Sequence, residues 1–201
     1  MNHKVNNVQQ LYDDAMGLYN KVVLENADNI IDALNQAIST LKNSWEGKDA
    51  GVQINNVVDV QNAMVFIRNV LAELARDSVV VASNYREIQN ANRANLESLA
   101  PLTTNVKTGA EPYVDNRDTI NITAEAMNGK NRLDAANNSI DTFISNVRRY
   151  YDAIMANWQM GTGREKAEQA FGDFMTKANN YKQVLNDVSQ SITDALKNYT
   201  I

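Results

Sequence analysis

The residues that could do acid–base or nucleophilic chemistry are few and poorly placed. The single histidine, His3, lies among the first residues, where chains usually fray, and the chain has no cysteine. A Ser-His-Asp or Cys-His arrangement and a Cys-ligated metal are therefore not expected. Asp28 and Asp32 share a helix face at i, i+4. Such pairs are usually solvated surface, and we predict no enzymatic activity, no cofactor and no metal site.

Two tryptophans mark the residues best suited to recognition. Trp45 and Trp158 are each followed within three residues by a glycine, Gly47 and Gly161. An indole at the end of an amphipathic helix buries a large area, and a glycine just past a helix end can close the last turn with positive φ. Asp49 is the expected N-cap of the helix after the first turn. We select both Trp–Gly pairs as candidate recognition residues; alternatively, the indoles only plug the ends of helical hairpins.

The elements that must position these turns are long helices. Apolar residues recur at intervals of three and four, the period of an amphipathic helix, in four runs over 8–45, 57–88, 122–158 and 167–195. Narrow apolar stripes of this kind are typical of helices packed side by side at shallow angles. The sequence predicts an all-α fold: two long helix-turn-helix hairpins in tandem, packed as an elongated, antiparallel four-helix bundle.

The predicted domains are a first hairpin over 1–97, a linker over 98–121 and a second hairpin over 122–201. Both prolines, Pro101 and Pro112, fall in the linker. An extended linker of this length reaches about 75 Å, and helices of about 35–40 residues are about 50–60 Å long. The linker can therefore run the full length of the bundle, which favours the antiparallel arrangement.

The two halves also share a register, which predicts an internal repeat with an offset of 113 residues. Counted back from each tryptophan, apolar residues fall at the same five positions. These are Leu41, Leu34, Ile30, Ala27 and Val23 before Trp45, and Ile154, Val147, Phe143, Ile140 and Ala136 before Trp158.

Charge and hydropathy exclude other classes of protein. The net charge is -5 and neither half is basic, which disfavours a nucleic-acid binder. No apolar run has the 18 or more residues of a membrane span. The first residues lead into an amphipathic pattern rather than a signal-peptide core. We expect a protein that is cytoplasmic or exported without a cleaved leader.

A Trp-X-Gly turn between two long amphipathic helices resembles the WXG (ESAT-6-like) proteins of type VII (ESX) secretion in Gram-positive bacteria. Trp45-Glu46-Gly47 matches that pattern, and Trp158-Gln159-Met160-Gly161 has one more residue before its glycine. Because family members pair as antiparallel dimers of hairpins, the resemblance implies a fused pseudo-dimer, monomeric or further assembled as a homo-oligomer.

The resemblance also implies the function. We predict a non-enzymatic substrate, chaperone or accessory of type VII secretion that binds another secreted protein or toxin, or a component of the machinery. The family's Tyr-X-X-X-Asp/Glu signal is missing, since no Tyr or Phe is followed four residues later by an acid. A partner would then carry the signal. The alternatives are a membrane-active amphipathic protein, which should be rich in Lys and Arg on its polar faces, and a structural coiled-coil or phage-type component.

Overall fold

The long apolar runs fold as helices in the computed structural model, which describes residues 5–92, 94–158 and 162–199. Hairpin 1 consists of α1 (Val8–Gly17), a π-helical segment (Leu18–Ala27), α2 (Asp28–Ser44) and α3 (Lys48–Ala91). Hairpin 2 consists of α4 (Ala126–Asn157) and α5 (Thr162–Tyr199). Two-residue strands, β1 (Trp45–Glu46) and β2 (Asn121–Ile122), pair antiparallel. The all-α hairpin fold is confirmed.

The hairpins pack with their turns at opposite ends of the bundle. The start of hairpin 2 meets the turn of hairpin 1, where Thr123 N–H donates to the Ser44 carbonyl at 2.9 Å. At the other end, Asn6 N–H donates to the Asn157 carbonyl at 3.0 Å. The first helical rod of hairpin 1 contacts α3 and α4, and α5 contacts α3 and α4. This is the antiparallel four-helix arrangement that the sequence predicts.

The core lies on the bundle axis, where the four apolar stripes meet. All ten residues of the shared register are at most 1% exposed. They are Leu41, Leu34, Ile30, Ala27 and Val23 in hairpin 1, and Ile154, Val147, Phe143, Ile140 and Ala136 in hairpin 2. Phe143 and Phe174 meet edge to face with their ring centroids 5.6 Å apart, a favourable geometry for an aromatic pair. The stripes are therefore packing surfaces.

The first rod of hairpin 1 differs from the predicted continuous α-helix. Residues Leu18–Ala27 are π-helical, and Asp28 N–H donates to the Val23 carbonyl five residues earlier. Long π-helical stretches are rare. Because each hydrogen bond of a π-helix reaches back five residues, a π-helix has more residues per turn than an α-helix. It therefore rises less along its axis for each residue. The apolar period persists through this segment, so sequence periodicity alone did not reveal it.

Residues 94–125, which we call the connecting segment, contain the predicted linker 98–121. The segment runs back along hairpin 1 from the end of α3 to its start: Lys107 pairs with Asn69, and Tyr113 with Asn55. Strand β2, close to its end, pairs with β1 beside the first turn. No helix within the described ranges is long and apolar enough to cross a bilayer.

Candidate functional site: the two tryptophan turns

Trp45 ends the first rod and leaves the helix in extended conformation. Its N–H donates to the Leu41 carbonyl, and its backbone turns to φ -138° and ψ 121°. In this conformation Trp45 pairs with Ile122, the residue of β2 that precedes hairpin 2. Its side chain is 3% exposed. Trp45 is therefore a buried, helix-ending residue whose backbone pairs with the segment that leads into the other hairpin.

Trp158 occupies the same position in hairpin 2. Its N–H donates to the Ile154 carbonyl at 2.8 Å, and its backbone turns to φ -126° and ψ 107°. It forms an antiparallel bridge with Val5, just before hairpin 1, and its side chain is 2% exposed. The glycine predicted to act with it, Gly161, lies outside the described residues.

The two ends of the bundle are thus built in the same way, because each tryptophan pairs with a residue just ahead of the other hairpin. The stretch from Val5 to Trp45 is four residues longer than that from Ile122 to Trp158. Both stretches span the same bundle, so the longer one must advance less per residue. The π-helical segment, which has more residues per turn, takes up part of this difference.

Gly47 has the positive φ that the sequence predicts, but it begins a helix and does not close one. Its φ is +117° with ψ 166°, and it is the N-cap of α3. A Cβ at this position would lie 2.7 Å from the carbonyl oxygen of Thr119. The prediction that Asp49 caps this helix is wrong, because α3 already starts at Lys48. Asp49 instead lies in the first turn of α3, where its negative charge interacts favourably with the helix dipole.

The start of α3 is capped by the connecting segment. The Asp115 carboxylate accepts a hydrogen bond from Gly47 N–H at 2.9 Å, and Lys48 N–H donates to the Arg117 carbonyl at 3.1 Å. The Arg117 guanidinium donates to both Asp115 oxygens, at 2.9 and 2.7 Å, and pairs with Glu46 at 2.6 Å. The Arg117 side chain, followed by Gly47 N–H, holds the pKa of Asp115 well below its usual range. A carboxylate thus ties the connecting segment to the Trp45 turn.

This carboxylate predicts a specific acid sensitivity. The pKa of Asp115 is lowered in the folded protein, whereas in the unfolded chain it is near 4. The carboxylate therefore stabilises the fold fully above about pH 4, and this stabilisation declines as the pH falls below that value. We expect Asp115→Asn to lower the urea midpoint at pH 7 and to differ less from the natural protein at pH 3. An equal difference at both pH values would contradict this assignment.

A surface pocket of about 360 Å³ lies beside the first turn. Trp45 contributes to its wall, together with Val52 from α3, Ile120 from the connecting segment, and Ala195 and Tyr199 from the end of α5. Val52, Ile120 and Tyr199 are exposed apolar side chains. The pocket therefore offers a concave, partly apolar surface at the end of the bundle, next to one of the predicted recognition residues.

The acidic pair Asp28 and Asp32 is not simply solvated surface, as the sequence suggested. Asp28 accepts from Arg68 Nε at 2.9 Å and lies 3.4 Å from Lys107 Nζ; its side chain is 15% exposed. Asp32 pairs with Lys107 at 3.2 Å. Both carboxylates therefore hold the connecting segment. In the part of the chain that the structure describes, no three His, Asp or Glu residues gather as a metal site.

The fold and the turns together define a bundle of two tryptophan-turned helical hairpins. Over residues 119–200 the chain matches the family model described as proteins of 100 residues with WXG. The match covers hairpin 2, whose turn has the additional residue before its glycine. No curated protein and no solved structure matches the chain.

Sequence reasoning missed the residues that fasten the connecting segment, namely Asp115, Arg117 and the side-chain amides of α3. An isolated Asp-X-Arg is too common to indicate a helix cap. The α3 amides do leave a signal: Asn55, Asn62 and Asn69 recur every seven residues, which places them on one helix face. Because the apolar residues dominate the helical pattern, this second periodicity is easy to overlook.

Proposed function

We propose that this chain is a non-enzymatic protein of a type VII secretion pathway that acts by binding another protein, as substrate, chaperone or accessory. The observation that carries the proposal is the WXG100 match over residues 119–200. The antiparallel packing of two tryptophan-turned hairpins is consistent with it. Export would follow the type VII route, without a cleaved signal peptide.

Hairpin 1 is, in this proposal, a second WXG-like unit, so that the chain is a fused pseudo-dimer with units 1–97 and 122–201 joined by the linker 98–121. Three correspondences support it: both tryptophans end a helix, both pair with the residue ahead of the other hairpin, and both follow the same buried register. Because the two hairpins cover each other's apolar stripes, a partner must bind the outside of the bundle.

One such outer surface is the exposed face of α3. Val52, Phe66 and Val80 recur there every fourteen residues, with Phe66 59% exposed. Two exposed acids, Asp59 and Glu87, lie at heptad positions of the same face, and the third, Glu73, pairs with Lys166 of α5 at 2.7 Å. A partner helix with an apolar seam flanked by Lys and Arg complements this face. A second secreted protein or toxin with such a helix is the partner we propose.

The other outer surface is the pocket beside Trp45, where we place recognition by the secretion machinery. Trp45 contributes to its wall and Gly47 to the adjacent turn, and Trp158 and Gly161 are their proposed counterparts in the sequence of hairpin 2. The tryptophans are buried, so their role in recognition is to fix the shape of the turns. The exposed wall residue Val52 is the better residue to mutate, because its replacement leaves the core intact. Since Val52 also belongs to the α3 face described above, its replacement tests both outer surfaces.

Export by the source organism tests this proposal. We expect tagged protein to disappear from the medium when the secretion ATPase gene is deleted, and Val52→Ser to lower the extracellular amount at an unchanged intracellular amount. Val114→Ser, at an exposed position of the connecting segment, is the matched control and should be exported normally. Unchanged export without the ATPase would contradict the proposal.

A further inference from the structure

Side-chain amides of α3 hold the connecting segment by its backbone. Asn69 Nδ2 donates to the Lys107 carbonyl at 2.8 Å, while its Oδ1 accepts from Lys107 N–H at 3.0 Å. Asn55 makes the same pair of bonds with Tyr113, at 2.7 and 2.8 Å. Each amide therefore satisfies both backbone groups of one residue, as a neighbouring β-strand would.

Between these two pairs, a third residue is held by two neighbouring side chains. Gln61 Oε1 accepts from Ala110 N–H at 2.9 Å, and Asn62 Nδ2 donates to the Ala110 carbonyl at 3.3 Å. We call Asn55, Gln61, Asn62 and Asn69 the amide track. It binds the N–H and the C=O of every third residue of the connecting segment from 107 to 113.

The spacings on the two sides match. Asn55, Asn62 and Asn69 are seven residues apart, and seven residues of helix rise about 10.5 Å. Their backbone partners are three residues apart, and three residues of extended chain span about 10 Å. A nearly straight, extended chain can therefore lie along this face of α3 and place every third residue opposite a side-chain amide.

The amide track itself bonds to the backbone of the connecting segment and not to its side chains. Val106 and Val114 are 80% and 73% exposed. Pro112, which has no N–H to donate, lies between the paired residues and not at one.

Other parts of hairpin 1 hold three side chains of the segment. The Lys107 ammonium reaches Asp28 and Asp32, the Tyr113 ring lies under the Lys42 ammonium, and Asn105 accepts a hydrogen bond from Arg68.

We infer that the amide track is a receptor for extended polypeptide, with the connecting segment as its resident ligand. Its partner in trans is an extended segment of another protein that presents a free backbone N–H and C=O at every third residue. A lysine at the position of Lys107 would add to its affinity. This inference does not depend on the secretion role, because it rests on the contacts of the track alone.

The test uses a full-length variant in which the connecting segment can no longer bond to the amide track. Lys107→Pro/Ala110→Pro/Tyr113→Pro removes the three N–H donors of the resident segment and leaves α3 unchanged. We expect a fluorescent peptide of residues 103–116 to bind this variant saturably, by fluorescence polarisation. Binding to the natural protein should be weaker by roughly tenfold or more, because the tethered segment competes at high effective concentration.

Three further measurements complete the test. Adding Asn55→Ala and Asn69→Ala to this variant should lower its affinity for the peptide by roughly tenfold or more. Adding Asn84→Ala, at an exposed position of the same helix, should leave the affinity unchanged. A peptide in which every side chain except those of Asn105, Lys107 and Tyr113 is replaced by alanine should bind like the original. In the natural protein, the amide hydrogens of Lys107, Ala110 and Tyr113 should exchange more slowly than that of Val106.

Each opposite result overturns the inference. These results are no binding to the vacated variant with its helical circular dichroism intact, undiminished binding after removal of Asn55 and Asn69, and unprotected amides in the natural protein. Binding of the native peptide sequence alone would identify the ligand as the connecting segment of a second copy. That outcome would refute recognition through the backbone.

Discussion

Replacing Gly47 by alanine is expected to lower the free energy of unfolding by about 2–4 kcal/mol. This loss has two causes: the backbone conformation is one that only glycine adopts easily, and the added Cβ makes a steric clash. The φ of +117° supplies the strain, and the Thr119 carbonyl oxygen, 2.7 Å from the added Cβ, supplies the clash. The Asp115 cap should loosen as well, because it bonds to the Gly47 N–H. Urea unfolding followed by circular dichroism measures the loss.

Gly172→Ala is the matched control for this prediction. Gly172 lies within α5, and no atom lies within 4 Å of a Cβ added there. Alanine should therefore stabilise the protein by about 0.5–1 kcal/mol, since it favours the helix over the unfolded chain. If Gly47→Ala were as stable as the natural protein, the backbone described for this turn would be wrong.

Replacing Arg68 by methionine is expected to cost about 3 kcal/mol or more, the loss typical of a buried ion pair that loses one partner. Arg68 is fully buried; it donates to Asp28 at 2.9 Å and to the Asn105 side-chain oxygen at 2.7 Å. Without it, the Asp28 carboxylate keeps only Lys107, at 3.4 Å, for its charge. Urea midpoints and hydrogen exchange over residues 103–110 should report the loss of stability and the release of the segment.

Two companion variants separate the ion pair from the general effect of removing an arginine. Arg76→Met, on the same helix, removes a half-exposed cation paired with its neighbour Asp77, and should change stability by less than about 0.5 kcal/mol. Arg68→Met with Asp28→Leu removes both charges and should recover part of the lost stability. A double variant as unstable as the sum of the single variants would contradict the coupling.

Much of the fold was predictable because its determinants are local and periodic. The three-and-four spacing identified the helices, and the shared register before Trp45 and Trp158 identified the residues that form the core. The linker length favoured the antiparallel arrangement, and the structure has it. The positions of the helices and of the core residues depend on which side of each helix is apolar, and the spacing of apolar residues in the sequence indicates that side.

The candidate site was less predictable because its contacts join residues that are distant in sequence. Asp115 caps a helix that begins 67 residues earlier, and Ile122 pairs with Trp45, 77 residues before it. The π-helical segment depends on matching the lengths of two hairpins, so no local pattern reveals it. The predicted positive φ at Gly47 was right, but its role in starting α3 depends on where β2 and Thr119 lie.

The reciprocal pairing of the two tryptophans has a consequence for how the molecule comes apart. Val5 belongs to the segment before one hairpin and pairs with Trp158 of the other, while Ile122 pairs in the same way with Trp45. Separating the two hairpins therefore breaks a backbone pairing at both ends of the bundle. We expect a hairpin expressed alone to expose its apolar stripe and to associate with a second copy that covers it.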